Sequence, residues 1–208
     1  MSVAAPRRGA AQGAATGALA LRADGWLASA RRVPSPHCDA RPPGTAIDLL
    51  LIHNISLPPG VFGGDAIERL FASTLADGGD PFLATLRGLR VSAHFLLRRD
   101  GEIVQFVSVH ERAWHAGASR FAGRVGCNDF SVGIELEGSD FVPFADAQYT
   151  ALARLTRALR AALPLAAVRG HSDVAPCRKT DPGPFFDWPR YARAARLPAR
   201  WLPPAARA

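Results

Sequence analysis

The chain is short of lysine: it has 25 basic residues, and Lys179 is the only one that is not arginine. It holds one methionine, two tyrosines and three cysteines, Cys38, Cys127 and Cys177, in 208 residues. An odd cysteine count without CxxC spacing argues against a disulfide framework and suits a reducing compartment, so a cytoplasmic location is expected. No apolar run approaches the ~20 residues that span a bilayer, and the greasiest, residues 47–52, is strand-length and broken by Asp48. A membrane partner is therefore not expected. Residues 1–20 are small and Ala/Gly-rich but lack the apolar core of a secretory signal, and they read as a disordered extension. Also missing are a basic helix interleaved with aromatics, an RNP-like strand and zinc-finger spacing. The formal charge of +7 comes from scattered arginines and does not make the chain a nucleic-acid binder. Nothing in the sequence calls for an obligate protein partner.

What is present is material for one core. Hydrophobic residues make up 48% of the chain, enough for a single domain over residues 21–200, with 201–208 as a tail. Residues 47–53 (IDLLLIH) precede the breaker-rich NISLPPGVFGG and read as a central strand buried on both faces. Ile67, Leu70, Phe71 and Leu75 fall at helical spacing within residues 65–76, with Asp65 as N-cap. Residues 91–97 and 102–109 flank Asp100-Gly101, a hairpin signal. In residues 130–137, Val132, Ile134 and Leu136 alternate with Ser131, Gly133, Glu135 and Glu137, one face apolar and the other polar. Residues 146–163 form an amphipathic helix, and residues 167–170 a short strand that delivers His171 into a long loop. Asp187-Trp188-Pro189 opens a last helix. Strands and helices interleave without strict alternation, so the expected class is α/β (α+β), a central mixed β-sheet flanked by helices.

The candidate chemistry sits at strand ends. His53, Glu135, His171, Lys179 and Asp181 fall there or in the loops that follow, where an open sheet presents reactive groups. Two histidines from separate strands and one aspartate on a loop make a three-ligand set with a fourth position for water, the arrangement of hydrolytic zinc. Glu135 then serves as general base, and Lys179 as a compact positive charge for a developing oxyanion. Other readings compete at this level. Cys177 rivals the metal positions, since thiolate is a better zinc ligand than carboxylate. Glu135 and Glu137 also fit a solvated strand face. His94 reads as packing or as support for a ligand, and His37 and His110 as turn or surface residues. Trp114 and His115, with Trp188, also suit a non-catalytic module that binds carbohydrate or peptide.

Eight strings in order, GWLASARRVPSPH, LLIHNISLPPGVFGG, LRVSAHFLLRRDGEIVQFV, RAWHAG, CNDFSVGIELEG, DAQY, GHSDVAP and RKTDPGPFFDW, resemble those of the AmpD-type amidases. These are the 1,6-anhydro-N-acetylmuramoyl-L-alanine amidases of cell-wall recycling, of the amidase type 2 and peptidoglycan recognition protein family. The resemblance covers residues 24–191. It implies a cytosolic zinc amidase that cuts between the lactyl group of anhydro-N-acetylmuramic acid and the L-alanine of a stem peptide. It implies His53, His171 and Asp181 as zinc ligands, Glu135 as catalytic acid/base and Lys179 as the residue that stabilises the transition state. The matching motifs further imply Asn54, Arg90, Trp114 and His115 in substrate binding. Two positions depart from the family pattern: Gly126 stands where related chains often carry Arg, and Cys177 where they often carry an acid. The alternatives it leaves open are an amidase for ordinary peptidoglycan and a non-catalytic muropeptide-binding module.

Overall fold

A computed structural model describes residues 19–204. The expected extension at residues 1–20 therefore lies almost wholly outside the described residues, as does the end of the tail. Leu19 already packs on the main core, and Leu202 is buried. In chain order the strands are β1 (Arg31–Arg32), β2 (Cys38–Ala40), β3 (Leu49–Ile55), β4 (Phe95–Leu97), β5 (Ile103–Gln105), β6 (Glu111–Ala113), β7 (Arg120–Phe121), β8 (Arg124–Val125), β9 (Ser131–Glu137) and β10 (Ala167–Gly170). The helices are α1 (Ala66–Phe71), α2 (Pro81–Thr85), α3 (Asp146–Ala162), α4 (His171–Val174) and α5 (Trp188–Ala195).

Six strands form one sheet in the order β1-β5-β4-β9-β3-β10. Only the β4–β5 hairpin is antiparallel; the other neighbours run parallel, so the sheet is mixed. Its two faces divide by the strand period of two. One face carries Leu50, Ile52, Phe95, Leu97, Val132, Ile134, Leu136 and Val168, all buried under α3 and α5. The stripe Tyr149, Leu152, Leu155 and Leu159 at helical spacing aims α3 at this face. Each such leucine, fully buried, contributes about 1.5–3 kcal/mol. The other face carries Leu49 and Leu51 beside Ala116, Cys127, Phe130 and Val174, and Leu96 and Val104 beneath Ile67, Leu70 and Phe71 of α1. On that second face the central strands also place Ser131, Gly133, His53, Glu135 and Glu137, and it is here that the chemistry lies.

Several expectations are refined. The polar face of β9 is not solvated: all seven residues are buried, because residues 111–130 and the segments at Gly63 and Arg98 cover it. Glu137 is 2% exposed and accepts from the Arg98 guanidinium and from the Gly63 and Arg99 amides. The 65–76 helix stops at Phe71, since Ser73 turns to φ 61°, while Leu75 still packs from the loop. Asp65 does not cap it; its carboxylate accepts from Arg69 instead. The hairpin turns where Asp100-Gly101 predicts, but its strands are three residues each. His171 starts the single turn α4 rather than a loop. No helix among the described residues is long and apolar enough to cross a membrane.

Candidate active site

Register explains why the site residues meet. In the parallel β3–β9 pair, His53 lies opposite Glu135, and in the β3–β10 pair Ile52 lies opposite Gly170, so His171 follows directly beside His53. Three adjacent strands thus set Glu135, His53 and His171 in one row across the sheet. Asp181 reaches them from the loop after α4, held by two bonds: the Asp181 carbonyl accepts the Ser172 amide at 3.0 Å, and Asn54 Nδ2 donates to the Pro182 carbonyl at 3.1 Å.

His53 Nδ1 lies 2.9 Å from Asp181 Oδ2 and 3.0 Å from His171 Nδ1, and His171 Nδ1 lies 3.1 Å from the same carboxylate oxygen. Both rings are buried, and Asp181 is nearly so. His171 Nε2 sits 3.0 Å from the Ala116 carbonyl, which can only accept, so that nitrogen carries the hydrogen and Nδ1 offers its lone pair. Burial lowers the His53 pKa against the pull of Asp181, favouring a neutral ring. Burial alone would raise the Asp181 pKa, but hydrogen bonds to His171 and His53 outweigh it and hold the carboxyl well below its usual range. Two imidazoles and a carboxylate, with one donor atom each converging, are the donor set that a divalent metal of borderline softness prefers. These residues fit a metal. Cys177 is exposed and stands outside the cluster.

Glu135 faces the same space, its Oε2 buried and without a hydrogen-bond partner among the described residues. Burial pushes its pKa well above the usual carboxylate value, Asp181 pushes it further, and Lys179 partly offsets both. A carboxyl so placed is poised to exchange a proton rather than to hold a structural bond. Lys179 is exposed, forms no ion pair among the described residues, and lines the same cavity of about 250 Å³ as His53, Glu135 and Asp181. The opposite wall is apolar, with Leu57, Leu70, Phe71 and Leu89. A wider groove of about 640 Å³ continues from it past Ser56, Asp140 and Phe141.

The remaining predicted residues take varied places. Asn54 lines both cavities, and its amide nitrogen also donates to Asp140 Oδ1 at 2.7 Å. Trp114 lines the cavity, donates from Nε1 to Asp39, and carries the exposed Arg90 guanidinium 5.1 Å above its ring. His115 touches the cavity too, yet its Nδ1 lies 3.0 Å from His53 Nε2, behind the ligand row. His94 is fully buried and accepts the Gly133 amide at Nδ1. His37 is buried, not a surface residue, and packs 6.0 Å from the Trp114 ring.

Sequence reasoning missed several supporting residues. Gly133 matters for what it lacks: a Cβ there would sit 2.5 Å from the His115 ring. A glycine inside an apolar strand is the signal that something approaches closely. Arg41, half-buried, donates to the carbonyls of Val109, Asn128, Asp129 and Ser131, tying β9 to the turn before it. Arg178 donates to the Ala116 and Ala118 carbonyls and so braces the segment that orients His171. No local spacing announces either arginine.

Residues 43–184 match the N-acetylmuramoyl-L-alanine amidase family, and the chain belongs to that family. Within it, the resemblance is to the AmpD type. The chain is 59% identical over 175 residues to the 1,6-anhydro-N-acetylmuramyl-L-alanine amidase AmpD of Salmonella typhimurium, covering 83% of this chain and 94% of that protein. It is 58% identical to AmpD of Escherichia coli, with 82% and 94% covered. Among solved structures, a selenomethionine derivative of AmpD superposes with a TM-score of 0.80 at 56% identity, covering 82% of this chain and 97% of that one. A Drosophila peptidoglycan recognition protein, at 18% identity and a TM-score of 0.55, shares the fold.

Proposed function

We propose that the protein is a zinc-dependent amidase that hydrolyses the amide between the lactyl group of 1,6-anhydro-N-acetylmuramic acid and the L-alanine of a stem peptide, in cytoplasmic recycling of peptidoglycan. Support for the substrate comes from the AmpD relatives' names and from the structure of AmiD of E. coli with anhydro-N-acetylmuramic acid-L-Ala-D-gamma-Glu-L-Lys, 30% identical with a TM-score of 0.52. The observation that carries the reading is the convergence of His53, His171 and Asp181 beside a buried Glu135 whose Oε2 has no hydrogen-bond partner among the described residues.

His53, His171 and Asp181 would hold the zinc, which when bound polarises the scissile carbonyl and makes water a stronger nucleophile. Glu135 takes a proton from the attacking water at its free Oε2 and returns it to the leaving nitrogen of L-alanine. Burial raises its pKa above the ordinary carboxylate value, which strengthens it as the base that accepts the water proton. Lys179 brings its ammonium to the carbonyl oxygen as negative charge grows there. Leu57, Leu70 and Phe71 form an apolar wall that keeps bulk water from the reacting carbonyl. Asn54, at the junction of the two cavities, and Trp114 and His115, on the wall of the smaller one, are the residues we assign to substrate binding, with the Arg90 guanidinium above Trp114 available to a stem-peptide carboxylate. The test is release of L-alanine-terminated peptide from purified anhydromuropeptide and, in parallel, from the muropeptide with ordinary muramic acid. Faster cleavage of the anhydro form supports the reading. Equal rates would make this an amidase of ordinary peptidoglycan, and binding without cleavage would make it a recognition module.

A further inference from the structure

The contact between His115 and His53 goes beyond packing. Building on the reading of His53 as a metal ligand, the geometry points to His115 and Ser131 as positioning residues that dictate which ring nitrogen of His53 faces the metal. Four groups stand in line. Ser131 Oγ lies 2.6 Å from the Cys127 carbonyl, His115 Nε2 lies 3.3 Å from Ser131 Oγ, and His115 Nδ1 lies 3.0 Å from His53 Nε2. The direction of the line follows from its far end. A carbonyl only accepts, so the Ser131 hydroxyl donates to Cys127 and keeps its lone pairs for His115. His115 Nε2 is then the donor and His115 Nδ1 an acceptor. His53 Nε2 must donate to it, which leaves His53 Nδ1 bare toward Asp181 and His171.

The opposite polarity would set two oxygens 2.6 Å apart with no hydrogen between them. Without the chain, the His53 proton has a better destination: Asp181 Oδ2 is 2.9 Å from Nδ1 and would draw the hydrogen onto that nitrogen, blocking it as a ligand. His115 and Ser131 therefore compete with Asp181 for one proton and keep it on the far side of the ring. The surroundings hold the His115 ring in place. Asn128 Oδ1 accepts the His115 and Ala116 amides at 3.1 and 2.8 Å, and Gly133 leaves the gap that the ring fills. Ser131 is fully buried, so its hydroxyl is not in exchange with bulk solvent. His171 reaches the same tautomer through a single carbonyl, that of Ala116.

The experiment reads the tautomer and metal affinity separately. In chelator-stripped protein, long-range proton–nitrogen spectra should show His53 with its hydrogen on Nε2. His115→Ala should move it to Nδ1 and weaken zinc binding, measured by competition with a chromophoric chelator, by about 10- to 100-fold. His115→Asn places an amide oxygen where Nδ1 stood and should restore the parental tautomer and most of the affinity. Ser131→Ala, a smaller change, should shift both readouts the same way if His115→Ala does not fold. A parent with hydrogen on Nδ1 would overturn the inference, as would alanine variants with parental spectra and parental affinity. A parent that takes up no zinc, yet whose His53 tautomer still depends on His115 and Ser131, would refute the metal reading and leave the positioning role standing.

Discussion

Replacing Glu135 by glutamine separates catalysis from stability. The substitution keeps the shape and removes the titrating oxygen, whose Oε2 has no partner to lose. General-base catalysis supplies about 10²–10⁴ in rate, so kcat should fall by that factor, about 3–5 kcal/mol of transition-state energy at ~1.4 kcal/mol per decade. Stability should move the other way. The folded state binds the Glu135 proton more tightly than the unfolded chain does, where the carboxyl pKa is near 4.5. The parent is therefore at full stability below that pH and loses stability as pH rises above it. Whatever the folded-state value, the loss by pH 7 is capped at about 3.5 kcal/mol, the distance from 4.5 to pH 7 at ~1.4 kcal/mol per pH unit. Urea unfolding of chelator-stripped parent and Glu135→Gln should give equal midpoints at pH 4. The variant should be more stable at pH 7. Near-normal turnover in the variant would remove Glu135 from the mechanism, and a variant less stable at every pH would show that the carboxylate is a structural anchor.

Other expectations follow from the same geometry. His171→Ala should abolish both zinc retention and hydrolysis, by elemental analysis and peptide release, because it removes one of three ligands; a variant that keeps its zinc would exclude His171 as a ligand. Lys179→Met should lower kcat by about 10²–10³ with zinc content unchanged, and a change confined to KM would make Lys179 a binding residue only. Burial lowers the His94 pKa from 6.5 to about 3, so its contribution is intact above the unfolded value and drains as pH falls toward the folded one. Between pH 7 and pH 4 the parent should lose on the order of 3 kcal/mol through this residue, a loss that His94→Gln escapes; identical acid profiles in urea would refute it. Glu137→Gln should loosen residues 63–64 and 98–99, seen as faster amide exchange at Gly63 with a smaller effect on kcat than Glu135→Gln; unchanged exchange there would show that the carboxylate does not hold the loop.

Much of the site was legible because its chemistry lies where periodicity breaks. His53 ends an apolar run, His171 follows a short strand, and Lys179 and Asp181 share one loop, so strand prediction and residue type together point to the row that register assembles. The alternation of β9 was equally plain: Val132, Ile134 and Leu136 mark the face that α3 covers. What alternation could not tell was that the other face is buried as well. That depends on residues 111–130 folding over it, and no periodicity links Trp114 or Asn128 to β9. The line from His53 to Cys127 was hidden for the same reason, since it joins two strands, a loop and a turn through register and a missing Cβ. Short elements were harder still. α2 and the β7–β8 hairpin span two to five residues per element, too few for a period to show, although Asp80 before Pro81 caps α2 by accepting the Phe82 and Leu83 amides.

The most direct test of the central claim is the metal content of the purified protein, measured together with peptide release from anhydromuropeptide before chelation, after it, and on return of zinc. One zinc per chain, with activity that falls on its removal and recovers on its return, is the expected result. Full hydrolysis by protein stripped of metal would contradict the account, because His53, His171 and Asp181 would then have no ion to hold.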